Sequence, residues 1–137
     1  MLFTDPYVAI ASPGRLPEGA VTSESLAGHD LIGQPTDDLC QLRVDRGLRQ
    51  AGLQPTYVFR SADNAAVQAM ARAGRGVAVM PRLAVDQHDP EISIHDASAV
   101  VTPRTIVVIW RDGPAVAPAV DRFVELATDV TRSLAER

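Results

Sequence analysis

Residues 74–81 read Gly-Arg-Gly-Val-Ala-Val-Met-Pro. Four consecutive apolar side chains with no polar alternation belong to a strand buried on both faces, the pattern of a central strand in a sheet with helices on either side. A Gly-x-Gly beside an apolar run also occurs in phosphate-binding loops. There the glycines follow a strand and open a helix, so that helix N–H groups face the phosphate. Here the order is reversed. A helical segment precedes, with Ala66, Val67, Met70 and Ala73 on its apolar face, and the strand follows. Gly74 is therefore expected in the left-handed position that ends a helix, and Pro81 in the first turn of a short helix over residues 82–85.

The rest of the chain alternates in the same way. Residues 7–11 predict a strand that stops at Ser12-Pro13-Gly14. Thr22 or Ser23 caps a short helix that Gly28 ends, and residues 30–34 form a short strand before Pro35. Thr36 or Asp37 is expected to cap a longer helix to Ala51, with Cys40, Val44, Gly47, Leu48 and Ala51 on one face and Gly52 after it. Residues 56–60 read as a strand, and Ser61 or Asp63 as the cap of the next helix. Residues 86–103 are polar and irregular, with an edge strand at 92–94. Residues 105–110 form a strong strand stopped at 112–114. A last helix spans about 115–134, with Val116, Val120, Phe123, Val124, Ala127 and Leu134 on one stripe. Short connections between alternating elements define an α/β domain with a mostly parallel sheet flanked by helices. Ligands of such sheets gather at the carboxyl ends of the strands, beside helix N-termini.

Length and charge limit the function classes. The chain has 137 residues, enough for one core, and 46% of them are hydrophobic. Its net charge is −4, whereas a free-standing nucleic-acid-binding module is usually basic. All 13 basic residues are Arg, which reflects codon bias more than function. No apolar run is long enough to span a bilayer, and the first residues carry no basic, signal-like segment. Cys40 is the one cysteine, so no internal disulfide forms; a cytoplasmic location is expected.

The chemistry-bearing residues do not assemble into a catalytic pattern. His29, His88 and His95 have no partner at metal-binding spacing, and all three are expected in solvent-exposed loops. Cys40 reads as an inert thiol on the apolar face of a helix, with redox sensing the rival role. Asp37-Asp38 complements a helix dipole rather than forming an acid–base pair. No Gly-x-Ser-x-Gly elbow is present. Trp110 reads as core or hinge packing, and Arg43, Arg46 and Arg49 as a solvated face or a protein contact. What remains are polar residues at predicted strand ends: Gln34, Thr36, Ser61, Asp63 and Asn64. Beside two helix N-termini, such groups suit a small polar or anionic ligand bound without chemistry.

The series of segments resembles the effector (substrate)-binding domain of LysR-type transcriptional regulators. Residues 2–9 followed by Ser12-Pro13-Gly14 resemble the strand leaving that domain's first lobe. Residues 25–32 resemble its "sLadL…pli" segment, and residues 44–55 its helix ending in Ala-Gly-Leu-x-Pro. Residues 74–81 match its Gly-x-Gly-[Ile/Val]-Ala-[Leu/Val]-[Leu/Met]-Pro, the most specific of these. Residues 106–111 and 118–123 resemble its return strand and last helix.

The resemblance implies a periplasmic-binding-protein type 2-like fold, with an effector cleft between two α/β lobes. Residues 1–13 would be the crossover strand from the first lobe and 14–103 the second, regulatory lobe. Residues 104–137 would be the return strand and C-terminal helix of the first lobe. The family's N-terminal winged helix-turn-helix is absent, so DNA would be bound only through that missing domain. The effector contacts carried over are Gln34, Pro35, Thr36, Asp37, Ser61, Ala62 and Asp63, with Thr36 the first choice as hydrogen-bond donor. The family's redox members use a cysteine pair, which one cysteine cannot supply.

The expected partners are a small polar or anionic effector and further copies of the chain, with no membrane partner. No enzymatic activity, cofactor or metal is expected. The alternatives are a lobe of a solute-binding protein and a small α/β enzyme.

Overall fold

The computed structural model describes residues 1–111, 113 and 118–136, which fall into two compact units. The larger comprises Pro6–Pro103, and the smaller comprises Met1–Asp5 with residues from Arg104 onward.

The larger unit is built on a five-stranded sheet. Its strands are β2 (Tyr7–Ala11), β3 (Leu31–Gly33), β4 (Tyr57–Arg60), β5 (Val77–Pro81) and β6 (Ser93–Asp96), in the order β4-β3-β5-β2-β6. β3 runs parallel to both β4 and β5, as the helical connections between them require. β2 runs antiparallel to β5, with Tyr7 opposite Pro81, and antiparallel to β6, with Val8 opposite Asp96. Two of the four pairings in this sheet are therefore parallel, joined by helical connections, and two are antiparallel.

β5 is buried at all five positions, as its unbroken apolar run requires. Its side chains divide between two cores. Val77 and Val79 join Tyr7, Ala9 and Ala11, together with Val44 and Leu48 of helix α2 (Leu39–Gln50). Ala78 and Met80 join Val8, Ile10 and Ile32, together with Val67 and Ala71 of helix α3 (Asn64–Arg72). α2 and α3 therefore cover opposite faces of the sheet. Each large apolar side chain so buried stabilises the fold by about 1.5–3 kcal/mol. Gly74 lies at φ +73°, the left-handed conformation that turns the chain out of α3. Gly76 meets a different need: a Cβ there would lie 2.6 Å from the Asp30 carbonyl oxygen. The two glycines are a helix stop and a close backbone approach, not a ligand loop.

Several boundaries move from their sequence-based positions. Thr22 caps the short helix α1 (Ser23–Leu26) in a reciprocal capping box with Ser25. Asp38, not Thr36 or Asp37, caps α2: its Oδ1 accepts from the Cys40 and Gln41 N–H groups at 2.8 and 3.0 Å. The Asp38 N–H itself donates to the Pro35 carbonyl, so residues 35–38 form a turn before the helix. On α3 the buried row is Val67, Gln68 and Ala71, and Ala73 is exposed because the helix has already ended at Arg72. Residues 82–84 form a single 3-10 turn after Pro81. His95 is buried rather than exposed, with Nδ1 2.9 Å from the Gly19 carbonyl oxygen and Nε2 3.0 Å from Ser93 Oγ.

In the smaller unit, β1 (Phe3–Asp5) pairs antiparallel with β7 (Arg104–Ile106). Arg104 opposes Asp5 across the ladder, and its Nε and one terminal nitrogen both lie 2.8 Å from Asp5 Oδ2. β7 has three residues instead of the six expected. The last ladder bond runs from the Leu2 N–H to the Ile106 carbonyl, and residues 107–110 have no strand partner among the described residues. Trp110 is accordingly half exposed instead of packed. Helix α4 (Pro118–Ala135) carries Phe123, Leu126 and Val130 exposed. Val116, expected on its apolar stripe, lies outside the described residues.

Candidate functional site

The parallel strands β3 and β4 end side by side, and each hands the chain to a helix. Ser61 N–H donates to the Gly33 carbonyl at 3.0 Å, carrying the β3–β4 ladder past the last strand residues. Gln34 is then held in three directions. Its N–H donates to Gln41 Oε1 at 2.8 Å, and its carbonyl accepts from an Arg60 terminal nitrogen at 2.8 Å. Its side-chain Nε2 donates to Asn64 Oδ1 at 2.6 Å. This last bond joins the loop that enters α2 to the first residue of α3.

The seven predicted contact residues flank that junction. Gln34 and Pro35 are half-buried, Thr36 and Asp37 are exposed, Ser61 is half-buried, and Ala62 and Asp63 are exposed. Asp63 caps α3, with Oδ1 accepting from the Ala65 N–H at 2.9 Å, while Ser61 Oγ accepts from the Asp63 N–H at 3.1 Å. One carboxylate oxygen of Asp63 is thus used on the scaffold. Thr36, Asp37 and Ala62 present their side chains to solvent next to two helix N-termini. The arrangement offers hydroxyl groups and backbone donors on a fixed frame, suited to holding a small polar group.

The frame beneath Gln34 was not foreseen in the sequence. Gln41 and Asp45 sit one turn apart on α2 and are buried. Gln41 Nε2 donates to Asp45 Oδ1 at 3.0 Å and to the Tyr57 hydroxyl oxygen at 2.7 Å; the Tyr57 hydroxyl in turn donates to Asp45. Burial, and secondarily the Asp45 carboxylate, push the Tyr57 phenol well above its ordinary value of 10.0. Arg60 stacks over the Tyr57 ring, its guanidinium carbon 4.0 Å from the centroid.

Strict alternation along β4 would set Tyr57 and Arg60 on opposite faces. The β3–β4 register shifts between Leu31 and Ile32, pairing Leu31 with Tyr57 but Ile32 with Phe59. Val58 is the extra residue, and this bulge brings Tyr57 and Arg60 to the same side. Gly33 leaves the space they use: a Cβ there would fall 2.7 Å from both Gln41 Oε1 and a Tyr57 ring carbon.

The other candidates lie apart from this junction. Cys40 is half-buried against the apolar core of α2. His29 and His88 lie in loops. Arg43 reaches Thr102 Oγ1 at 3.4 Å and the Pro103 carbonyl at 3.2 Å. Among the described residues no group of three or more His, Cys, Asp or Glu is placed to hold a metal, and no helix is long and apolar enough to cross a membrane.

An α/β unit with polar loops gathered where parallel strands end is the architecture of a ligand-binding lobe. The LysR substrate binding domain model matches residues 1–132, and the chain belongs to that family. Solved structures agree in fold. The CcmR regulatory domain of Synechocystis PCC6803, determined in complex with 2-PG, superposes with a TM-score of 0.73 at 16% identity over 95% of this chain. HinK, a LysR family transcriptional regulator from Pseudomonas aeruginosa, gives 0.77 at 14% identity over 94% of this chain. The reduced OxyR regulatory domain of Pseudomonas aeruginosa gives 0.67 at 25% identity over 96%. The chain spans 64% of the CcmR domain, 63% of the OxyR domain and 45% of HinK.

Proposed function

We propose that this chain is an effector-sensing part of a LysR-type DNA-binding transcription regulator, working by ligand binding and not by catalysis. The regulatory lobe is the unit Pro6–Pro103, beginning before residue 14 because β2 lies in its sheet, and residues 1–5 and 104–137 are the crossover segments and last helix of the other lobe. The effector is small and polar or anionic. It rests on Gln34, Pro35, Thr36 and Asp37 from one loop and on Ser61, Ala62 and Asp63 from the other, with the Thr36 hydroxyl as principal donor. In the complete regulator its binding shifts a population between arrangements of the lobes in a homo-oligomer, and DNA is held by a separate N-terminal domain. The location is cytoplasmic. The CcmR neighbour's complex with 2-PG supports a small-molecule role for such a lobe.

The observation that carries this function is the Gln34–Asn64 bond, which ties together the two loops of the proposed contacts within a chain matched to the family over residues 1–132. The test is a thermal-shift series with small acids and metabolites on a protein containing both lobes. A saturable stabilisation is expected, weakened about tenfold or more in Thr36→Val, the size of one lost hydrogen bond to a charged group. Stabilisation by no member of the series, or a Thr36→Val variant that binds like the parent, would count against it.

A further inference from the structure

Beside the junction, a groove of about 590 Å³ runs between α2 and the edge strand β4. Asp45 and Arg49 line it from the helix, Tyr57 and Arg60 from the strand, and Leu53 and Pro55 from the connecting loop. Its charges are unevenly satisfied. Arg49 follows Asp45 by four residues, the spacing of a helix ion pair. Asp45 instead turns to Gln41 and Tyr57, and the Arg49 guanidinium makes no ion pair or hydrogen bond among the described residues. Arg60 uses one terminal nitrogen on the Gln34 carbonyl and holds its guanidinium carbon over the Tyr57 ring. Its remaining N–H groups are donors beyond that bond. The groove therefore has two guanidinium groups, one carboxylate already hydrogen-bonded by neutral donors, and an apolar wall.

We propose that this groove binds a small organic acid. Its carboxylate sits between Arg49 and Arg60, and its carbon body lies against Leu53, Pro55 and the Tyr57 ring. Planar guanidinium forks match a carboxylate in geometry, and their attraction is strengthened where the apolar wall excludes water. Arg60 also contacts Gln34, so an acid bound here acts on the effector junction through one shared side chain, and the coupling is reciprocal. Binding in the groove stands independently of the sensor role proposed above, and only its coupling to the junction rests on that role.

The test is an amide chemical-shift titration of the chain with phenylacetate, using neutral phenylacetamide as the control. Saturable shifts centred on Arg49 and residues 53–60 are expected with the acid and not with the amide. Arg49→Ala, at an exposed position that leaves the core intact, is expected to weaken the acid about tenfold, and Arg49→Lys less. Equal binding of the amide, unchanged affinity in Arg49→Ala, shifts centred on residues 34–37 and 61–63, or no saturable shift would each overturn the proposal.

Discussion

Gln34 owes its position largely to residues outside the seven predicted contacts. Gln41 holds its N–H, Arg60 its carbonyl, and Tyr57 and Asp45 fix those two side chains in turn. Tyr57→Phe leaves Gln41 and Asp45 each short of a partner, and a loss of about 1–2 kcal/mol in urea unfolding at neutral pH is expected. The pH dependence follows from the raised phenol. Because the folded value lies above the unfolded 10.0, this contribution is complete below pH 10 and declines as pH rises above it. Tyr57→Phe should flatten the alkaline decline measured by unfolding at a series of pH values; an identical decline in the variant would count against this linkage. Gly33→Ala places a methyl group against Gln41 and Tyr57 and is expected to cost about 1–3 kcal/mol by overpacking. Its amide spectrum should change at Gln34 first.

At the scale of elements, burial and capping give separable effects. Leu48 has no solvent exposure and joins α2 to the sheet, so Leu48→Ala should lose about 2–5 kcal/mol in denaturant unfolding. Asp63→Ala removes the α3 cap and should lose about 1 kcal/mol. The hydrophobic pattern made most of these elements legible, because the burial of β5 on both faces and the apolar rows of α2 and α3 are recorded in residue spacing. Cap positions were less legible: residues 36–38 are all suitable polar residues, and only the turn from Pro35 selects Asp38. The Val58 bulge was not legible, since it depends on register against β3. Neither was the Gln41–Asp45–Tyr57 network, whose members come together only when β4 pairs beside β3 under α2. The length of β7 is likewise set by its partner β1, not by its own apolar run.

At the scale of the molecule, the sequence carried the family and the α/β class, and the structure supplied the frame beneath the predicted contacts. The contact residues themselves were chosen by resemblance and by the rule that ligands gather at strand ends. The structure places them around one junction, with Asp63 used as a cap and Thr36 exposed to solvent. The most direct test is amide hydrogen exchange on a protein containing both lobes, with and without a ligand found by thermal shift. Slower exchange concentrated at residues 34–37 and 61–63 is predicted. A tightly bound ligand that leaves those residues unchanged and protects another region would contradict the placement of the effector site.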